Sequence, residues 1–413
     1  MARSPYRWNR RDFIGAGLAG AAAVALRPRP ASAAALGAGD RIRIGVIGTG
    51  GRARYLMRLL KELPGNAMVA VSDAYEPRML EAAEIAGAGC ARHPDYRRLL
   101  DDRSIDAVLV GAPDHWHLKM AQDAVAAGKD VYLEKPVSRT LADGDALLKA
   151  VEGSKQVVQT GTQQRSWEHF RLGKQIVDSG KLGQVTFVHT YWHQRMVPGG
   201  FPQVEQARLD WKGWLGSAPE RPFDAERFFE WRHFRDYGGG VLTDLLTHWI
   251  DVVHWYLGVD TPQTAITTAA NYRIKTIEWP DTVTATLVYP KEFMVTHTGT
   301  YASTIDDGGL EFRGDQATLK VDRERLLVYS EESRRGQAWR NTPEPEILVR
   351  SEADGTSTHL GNWLDCIRSR QQPNAPVRVG VPAARAAHIA NQSLLSGGTR
   401  VRWNAAAGTV EKA

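Results

Sequence analysis

Asp244 and His248 stand four residues apart in Gly238-Gly239-Gly240-Val241-Leu242-Thr243-Asp244-Leu245-Leu246-Thr247-His248, where three glycines run into an apolar segment. The apolar pattern from Val241 to Leu257 predicts a buried helix, on which residues i and i+4 share one face. A carboxylate and an imidazole side by side at the mouth of a glycine turn suit acid–base work. The glycines would let a ligand approach the backbone, and a helix start behind them would favour an anionic group. The structural alternative makes His248 a core histidine and Asp244 a first-turn helix charge. An independent signal earlier in the chain favours chemistry.

That signal is Gly48-Thr49-Gly50-Gly51-Arg52-Ala53, set between a strand pattern, Arg41 to Ile47, and a helical one, Ala53 to Lys61. It matches G-x-G-x-x-G/A. The first glycine makes the turn, the second admits a pyrophosphate to the backbone, and Ala53 keeps helix and strand close. A second strand pattern, Ala67 to Ser72, ends at Asp73, where an acid would bind the adenosine ribose hydroxyls and repel a 2′-phosphate. The stretch therefore predicts a dinucleotide, NAD in preference to NADP, held by Gly48, Thr49, Gly50, Gly51, Arg52 and Asp73.

Two further strand patterns, Ile105 to Gly111 and Asp130 to Leu133, run into Ala112-Pro113-Asp114-His115-Trp116-His117 and Glu134-Lys135-Pro136. Ligands of a doubly wound sheet bind beyond the carboxyl ends of its strands. Ala112, Pro113, His117, Glu134 and Lys135 are therefore expected at the same crevice. An ammonium beside a cationic nicotinamide would have its pKa lowered, which suits proton exchange with a substrate hydroxyl. The plainer reading, a surface lysine at a strand end, is disfavoured by the buried strand before Lys135 and the proline after it.

The glycine loop, Glu134-Lys135-Pro136 and GGGVLTDLLTH together resemble the glucose–fructose oxidoreductase/inositol dehydrogenase/rhizopine-catabolism (Gfo/Idh/MocA) family of nicotinamide-dependent enzymes. The resemblance covers almost the whole chain after residue 40. It implies that Lys135, Asp244 and His248 surround the substrate carbon that exchanges hydride, with a cis Lys135–Pro136 bond aiming the lysine. Leu246 departs from the pattern, which usually has glycine there, and this bears on helix packing and substrate fit.

A chain of 413 residues, 43% hydrophobic, is long enough for two cores. The expected fold is α/β: an N-terminal Rossmann domain with a doubly wound parallel sheet, 41–158, then an α+β domain with a large, open, mostly antiparallel sheet, 159–358. The second sheet is read from Val185 to Trp192, Gln263 to Lys275, Thr282 to Tyr289, Phe293 to Thr300, Leu310 to Arg313 and Ala317 to Val321. A helical pair, within 359–404, is expected to pack back on the first domain. Strands 281–289 and 291–300 look apolar enough to need a cover on their other face, which predicts a homo-oligomer.

Residues 1–33 read as a twin-arginine export signal: Asn9-Arg10-Arg11-Asp12-Phe13-Ile14, a weakly apolar run to Leu26, and Ala31-Ser32-Ala33 as the cleavage site. The apolar run is too short to span a bilayer, so no stable membrane anchor is expected. The expected location is the periplasm or outside the cell, with the export machinery as a partner. Removing six of the 52 basic and one of the 47 acidic residues with the signal leaves 46 of each, so the formal charge of +5 gives no support to nucleic-acid binding. Two cysteines, Cys90 and Cys366, give no disulfide framework. Asp244, His248, Asp251 and His254 lack a further well-placed group for an open catalytic metal site, and no metal is expected.

Tryptophans concentrated after residue 160, among them Trp167, Trp192, Trp211, Trp214 and Trp231, suit sugars and polyols, which offer C–H faces and hydroxyl edges. Gln163, Gln164 and Arg165 follow a strand that should end near the nicotinamide. Tyr191 and His193 share a strand face, and Tyr237 abuts the glycine turn. Gln163, Arg165, Tyr191, His193 and Tyr237 are thus the expected substrate contacts. The expected reaction moves a hydride between bound NAD and a hydroxyl carbon of a sugar or cyclic polyol, with His248 or Lys135 taking the proton and Asp244 orienting His248 or the substrate. Two alternatives are a redox-neutral, NAD-dependent glycoside-cleaving enzyme and a non-catalytic nucleotide-binding sensor. Export implies that NAD is held tightly, because no nicotinamide pool exists outside the cytoplasm.

Overall fold

The computed structural model describes residues 41–197, 199–331 and 344–413; the export-signal reading of residues 1–33 lies outside them. Short aliphatic runs followed by amphipathic helices give six parallel strands: β1 (Ile42–Ile47), β2 (Asn66–Ser72), β3 (Ala91–His93), β4 (Ala107–Val110), β5 (Asp130–Leu133) and β6 (Val158–Thr160). They pair in the order β3-β2-β1-β4-β5-β6. This order reverses direction between β1 and β4, opening a crevice beyond their carboxyl ends. β4, β5 and β6 are buried throughout, because helices cover both faces of the sheet.

The second sheet has ten strands: β7 (Val185–His193), β8 (Thr264–Ala270), β9 (Thr282–Tyr289), β10 (Phe293–Thr300), β11 (Gly308–Gly314), β12 (Ala317–Asp322), β13 (Arg325–Ser330), β14 (Ile347–Arg350), β15 (Val401–Asn404) and β16 (Thr409–Lys412). Their order is β14-β13-β12-β11-β7-β10-β9-β8-β15-β16, and only β7 and β10 pair in parallel. The expected strand Gln263 to Lys275 stops at Ala270. Beyond it, the Asp281 carboxylate accepts the amides of Tyr272, Arg273 and Ile274 and curls the chain into a loop. Strands β13 to β16 are additions to the expected set. The last two are four-residue segments: Val-Arg-Trp-Asn alternates for only two apolar residues, and Thr-Val-Glu-Lys has one.

The tail corrects the expected boundary at 359–404. The helix Thr356–Ser369 does pack on the first domain, where Leu360, Trp363 and Leu364 join the core under β1. The helix Val377–Leu395 serves both halves. Val377, Val381 and Ala384 belong to the first-domain core, whereas Ala383, Ala386, Ala387 and Ala390 belong to the core under the large sheet. The residues after 400 extend that sheet through β8. Its open face also differs from the apolar surface expected. Thr284, Thr286, Thr296 and Thr298 outnumber Val288 and Met294 on β9 and β10, since the pleat turns the larger apolar residues inward. Among the described residues no helix is long and apolar enough to cross a membrane.

Candidate active site

A cavity of about 1090 Å³ lies beyond β4 and β5, walled by residues of both halves, and one of about 290 Å³ lies along the glycine loop. Both are bounded by Arg52, Gly111, Ala112, Trp231 and Arg232, so they form one groove. Gly48, at φ 76°, would place a Cβ 2.5 Å from the Ala112 amide, and only glycine fits. At Gly50 and Gly51 a Cβ would meet nothing within 4 Å, so the loop is open where a pyrophosphate would lie. Asp73 lines the smaller cavity; it accepts Thr49 N (2.6 Å) and Thr49 Oγ1 (3.1 Å) on one oxygen and Tyr75 N (2.9 Å) on the other. A carboxylate has about four acceptor sites, so one is left for a ribose hydroxyl. Thr49 is a correction: it is fully buried, and its side chain braces Asp73 rather than facing the groove.

Lys135 follows β5, joined to Pro136 by a cis peptide bond. Its Nζ donates to the Asp244 main-chain oxygen (2.6 Å) and to Asp244 Oδ1 (2.8 Å), and Arg232 Nε donates to the same carboxylate oxygen at 3.2 Å. Burial works against charge on Asp244, but Lys135 and Arg232 outweigh it and hold the carboxyl far below its usual range. His248 is the reverse. Burial, reinforced by Lys135, Arg323 and Arg52, drives its pKa well below the ordinary value, so the imidazole is neutral. Its Nδ1 lies 3.3 Å from Gln164 Oε1. An amide oxygen only accepts, so Nδ1 carries the proton and Nε2 presents a lone pair.

The expected Asp244–His248 pair does not form. The segment opens with a π-helical turn, Leu242–Leu246, before the α-helix Thr247–Leu257, and no hydrogen bond joins the two side chains. The catalytic candidates are instead a Lys135–Asp244 ion pair across the groove and a separate neutral histidine. The three glycines are also reassigned. A Cβ at Gly238 would strike the Arg232 backbone at 2.8 Å, and one at Gly240, where φ is 66°, would strike Trp279 Cβ at 2.5 Å. They admit neighbouring protein, not ligand.

Several other expected contacts move. His117 lines the larger cavity with its ring nitrogens 2.6 Å from Pro136 O and 2.8 Å from Ala112 O; burial favours the neutral ring, whose single N–H donates to one of them, so it ties together the segments after β4 and β5. Arg165 is paired with buried Asp251 at 2.8 Å. Tyr191 and His193 lie on the open face of the large sheet, because alternation along β7 sends Trp192 to the cavity. Tyr237 is fully buried against Trp214 and His115. Glu134, Ala112 and Gln163 do line the larger cavity, and Pro113 the smaller; Glu134 accepts Arg52 Nε at 2.8 Å and fastens the glycine loop to β5. Arg232 and Arg323 escaped sequence reasoning, since neither stands in a motif. Among the described residues no cluster of three or more His, Cys, Asp or Glu could hold a metal.

Among the described residues, eight buried polar atoms without a hydrogen-bond partner belong to residues of the larger cavity: Arg52 Nη2, Asp114 Oδ1, Gln163 Oε1, Trp167 Nε1, Trp192 Nε1, His233 Nδ1, Tyr301 Oη and Arg323 Nε. Interiors normally satisfy such groups. Donors and acceptors left over around one cavity fit a ligand with several hydroxyl or amide groups, as a nicotinamide carboxamide and a polyol would be.

Comparison with known proteins agrees with this geometry. Residues 42–162 match the Gfo/Idh/MocA oxidoreductase family model for an NAD-binding Rossmann fold, and residues 170–320 match the Gfo/Idh/MocA C-terminal domain. Inositol 2-dehydrogenase 1 of Saccharopolyspora erythraea is 36% identical over 150 residues, 36% of this chain and 44% of that protein. Myo-inositol 2-dehydrogenase of Thermotoga maritima is 32% identical over 143 residues, 35% of this chain and 42% of that protein. The chain thus spans less than half the length of these curated relatives. A levoglucosan dehydrogenase solved with NADH and levoglucosan superposes with a TM-score of 0.69 at 17% identity, over 88% of this chain and 99% of the other. Myo-inositol 2-dehydrogenase of Lactobacillus plantarum gives 0.67 at 21% identity with the same coverage. With a strand–glycine-loop–helix unit ahead of the Lys135–Asp244 pair, and family models matched on both halves, the chain belongs to the Gfo/Idh/MocA family.

Proposed function

We propose that the protein is an NAD-dependent oxidoreductase acting on a hydroxyl carbon of a sugar or cyclic polyol. The observation that carries this reading is the meeting of Lys135, Asp244 and a neutral His248 in one cavity that adjoins the glycine-loop groove. Gly48, Gly50, Gly51, Arg52, Asp73, Ala112, Pro113 and Glu134 would hold NAD, and the remaining acceptor site on Asp73 favours it over NADP. Bound there, NAD supplies the hydride acceptor. His248 Nε2 takes the proton of the substrate hydroxyl, since Gln164 keeps the other nitrogen protonated. Lys135 has two donors on Asp244 and a third for the substrate oxygen, which it steadies as the proton leaves. Asp244 fixes Lys135, and Arg232 fixes Asp244.

The test combines a substrate panel with two variants. Purified protein is incubated with sugars, polyols and glycosides while cofactor absorbance and products are followed together. Lys135→Ala and His248→Ala should each lower turnover by about 10²–10⁴-fold with cofactor affinity unchanged. Full activity in both variants would overturn the assignment. Glycoside cleavage without net reduction would transfer the site to redox-neutral chemistry, and saturable binding without turnover would make it a sensor.

The N-terminal Arg10-Arg11 signal supports a periplasmic or secreted location, and with it tightly held NAD loaded before export. Denaturing protein purified without added nucleotide should release NAD; an empty protein that binds only millimolar NAD would refute retention. A homo-oligomer rests on the exposed Ile266 and Met294 alone, since threonines make up most of the open face of β9 and β10; light scattering at micromolar concentration is the check.

A further inference from the structure

We propose that the substrate carries a carboxylate and that Arg323 is the residue that recognises it, a deepening that rests on the sugar-or-polyol reading of the larger cavity. Arg323 stands in the turn between β12 and β13 and lines that cavity. Its guanidinium carbon lies 4.3 Å over the Trp192 ring, and the Trp192 ring lies 5.4 Å from that of His248. The cation is therefore held one indole beyond the proposed base, about where a substituent of a bound sugar would reach.

The other cations deep in this wall each have a carboxylate partner: Arg52 has Glu134, and Lys135 and Arg232 share Asp244. Among the described residues no carboxylate pairs with Arg323, and its Nε is a buried donor without an acceptor. Of the nearby acids, Asp322 pairs with Arg325 and Asp354 bonds Thr356, while Glu324, exposed on the same wall, makes no bond to Arg323. Burial lowers the affinity of Arg323 for its proton, offset in part by the charges of Asp307 and Asp354, neither of which is paired with it. A partly desolvated guanidinium costs free energy unless something anionic completes it. Stacking on an indole leaves the edge of the planar fork free, and that edge matches a carboxylate with two parallel hydrogen bonds. The cofactor's pyrophosphate has its own loop at Gly48–Arg52.

The experiment titrates the NAD-loaded protein, following tryptophan fluorescence, with D-glucuronate, D-glucose, D-galacturonate, D-galactose and D-glucose 6-phosphate. The wild type should bind a uronate at least about tenfold more tightly than its neutral counterpart, as a charge-assisted bidentate contact provides. Arg323→Met should erase that preference while leaving neutral-sugar and NAD affinities within about twofold, and Arg323→Lys should restore part of it. If Arg323→Met fails to fold, Arg323→Gln and Arg323→Lys carry the same comparison. Equal binding of uronates and neutral sugars by the wild type overturns the proposal, as does tightest binding of the phosphate. Loss of NAD affinity in Arg323→Met overturns it too, by assigning the residue to the cofactor. Binding of NAD but of none of the sugars overturns the sugar-or-polyol reading itself.

Discussion

The two glycine turns, Gly48–Gly51 and Gly238–Gly240, carry the same sequence signature and obey different physics. At Gly50 and Gly51 an added Cβ would stand in open space, at Gly240 it would run into Trp279. In the first turn Gly48 clears Ala112 while Gly50 and Gly51 leave room for something outside the protein; in the second all three glycines clear Arg232, Thr243 and Trp279. Its carbonyls confirm this: Gly238 O accepts from Trp279 Nε1 and Gly239 O from Asn391 Nδ2, both at 2.8 Å. A glycine run thus announces close approach without saying by what. The same division, ligand-facing against protein-facing, separates the polar residues as well.

The largest test of that division is acid. His115, His359 and His388 are protein-facing, and burial pushes each down to about 4. Because their folded pKa values lie below the unfolded value near 6.5, the unfolded chain binds more protons between those limits. The stability they allow is complete above about pH 6.5 and is lost as pH falls toward 4, at roughly 1.4 kcal/mol per group per pH unit. Thermal midpoints should therefore drop steeply below pH 6.5; a flat profile down to pH 4.5 would show these imidazoles to be solvated. Arg165 gives the next effect. Arg165→Met strands the Asp251 carboxylate, 0% exposed, and should cost about 3–5 kcal/mol in denaturant unfolding. A stable variant with weakened substrate binding would instead return Arg165 to the cavity. The smallest pair sharpens the glycine comparison. Gly240→Ala combines left-handed backbone with a clash and should destabilise by about 1–3 kcal/mol. Gly50→Ala, at φ −62°, should melt with the wild type and lose NAD affinity by about tenfold in calorimetric titration. The reverse pattern would exchange the roles of the two turns.

What the sequence made legible was local. Gly48–Ala53 lies between a strand and a helix within one βα unit, and Lys135 closes a strand, so short-range pattern suffices for both. Asp244 and His248 were found by spacing, but their partners were not, because the π-helical turn breaks the periodicity that the pairing assumed. Tyr191 and His193 were misplaced by one residue of strand parity: Trp192 takes the cavity side. Arg165 was misread because Asp251 reaches it from 86 residues away. Arg323 had no local mark at all, since its meaning comes from an indole on another strand and from a carboxylate that is not there.

The helix Val377–Leu395 sets a limit on how such a chain can be recombined. Its alanines are fitted on one side to the Rossmann core and on the other to the large sheet, and it comes after the first domain and after all but the last two strands of that sheet. A crossover that replaced only residues 163–355 would import a sheet whose underside was shaped by a different helix. Ala386 and Ala387 are fully buried, so even one added methyl group has nowhere to go. Exchange of a substrate domain alone should therefore lower the thermal midpoint more than exchange of that domain together with this helix. One helix thus couples the packing under the cofactor site to the packing under the substrate site.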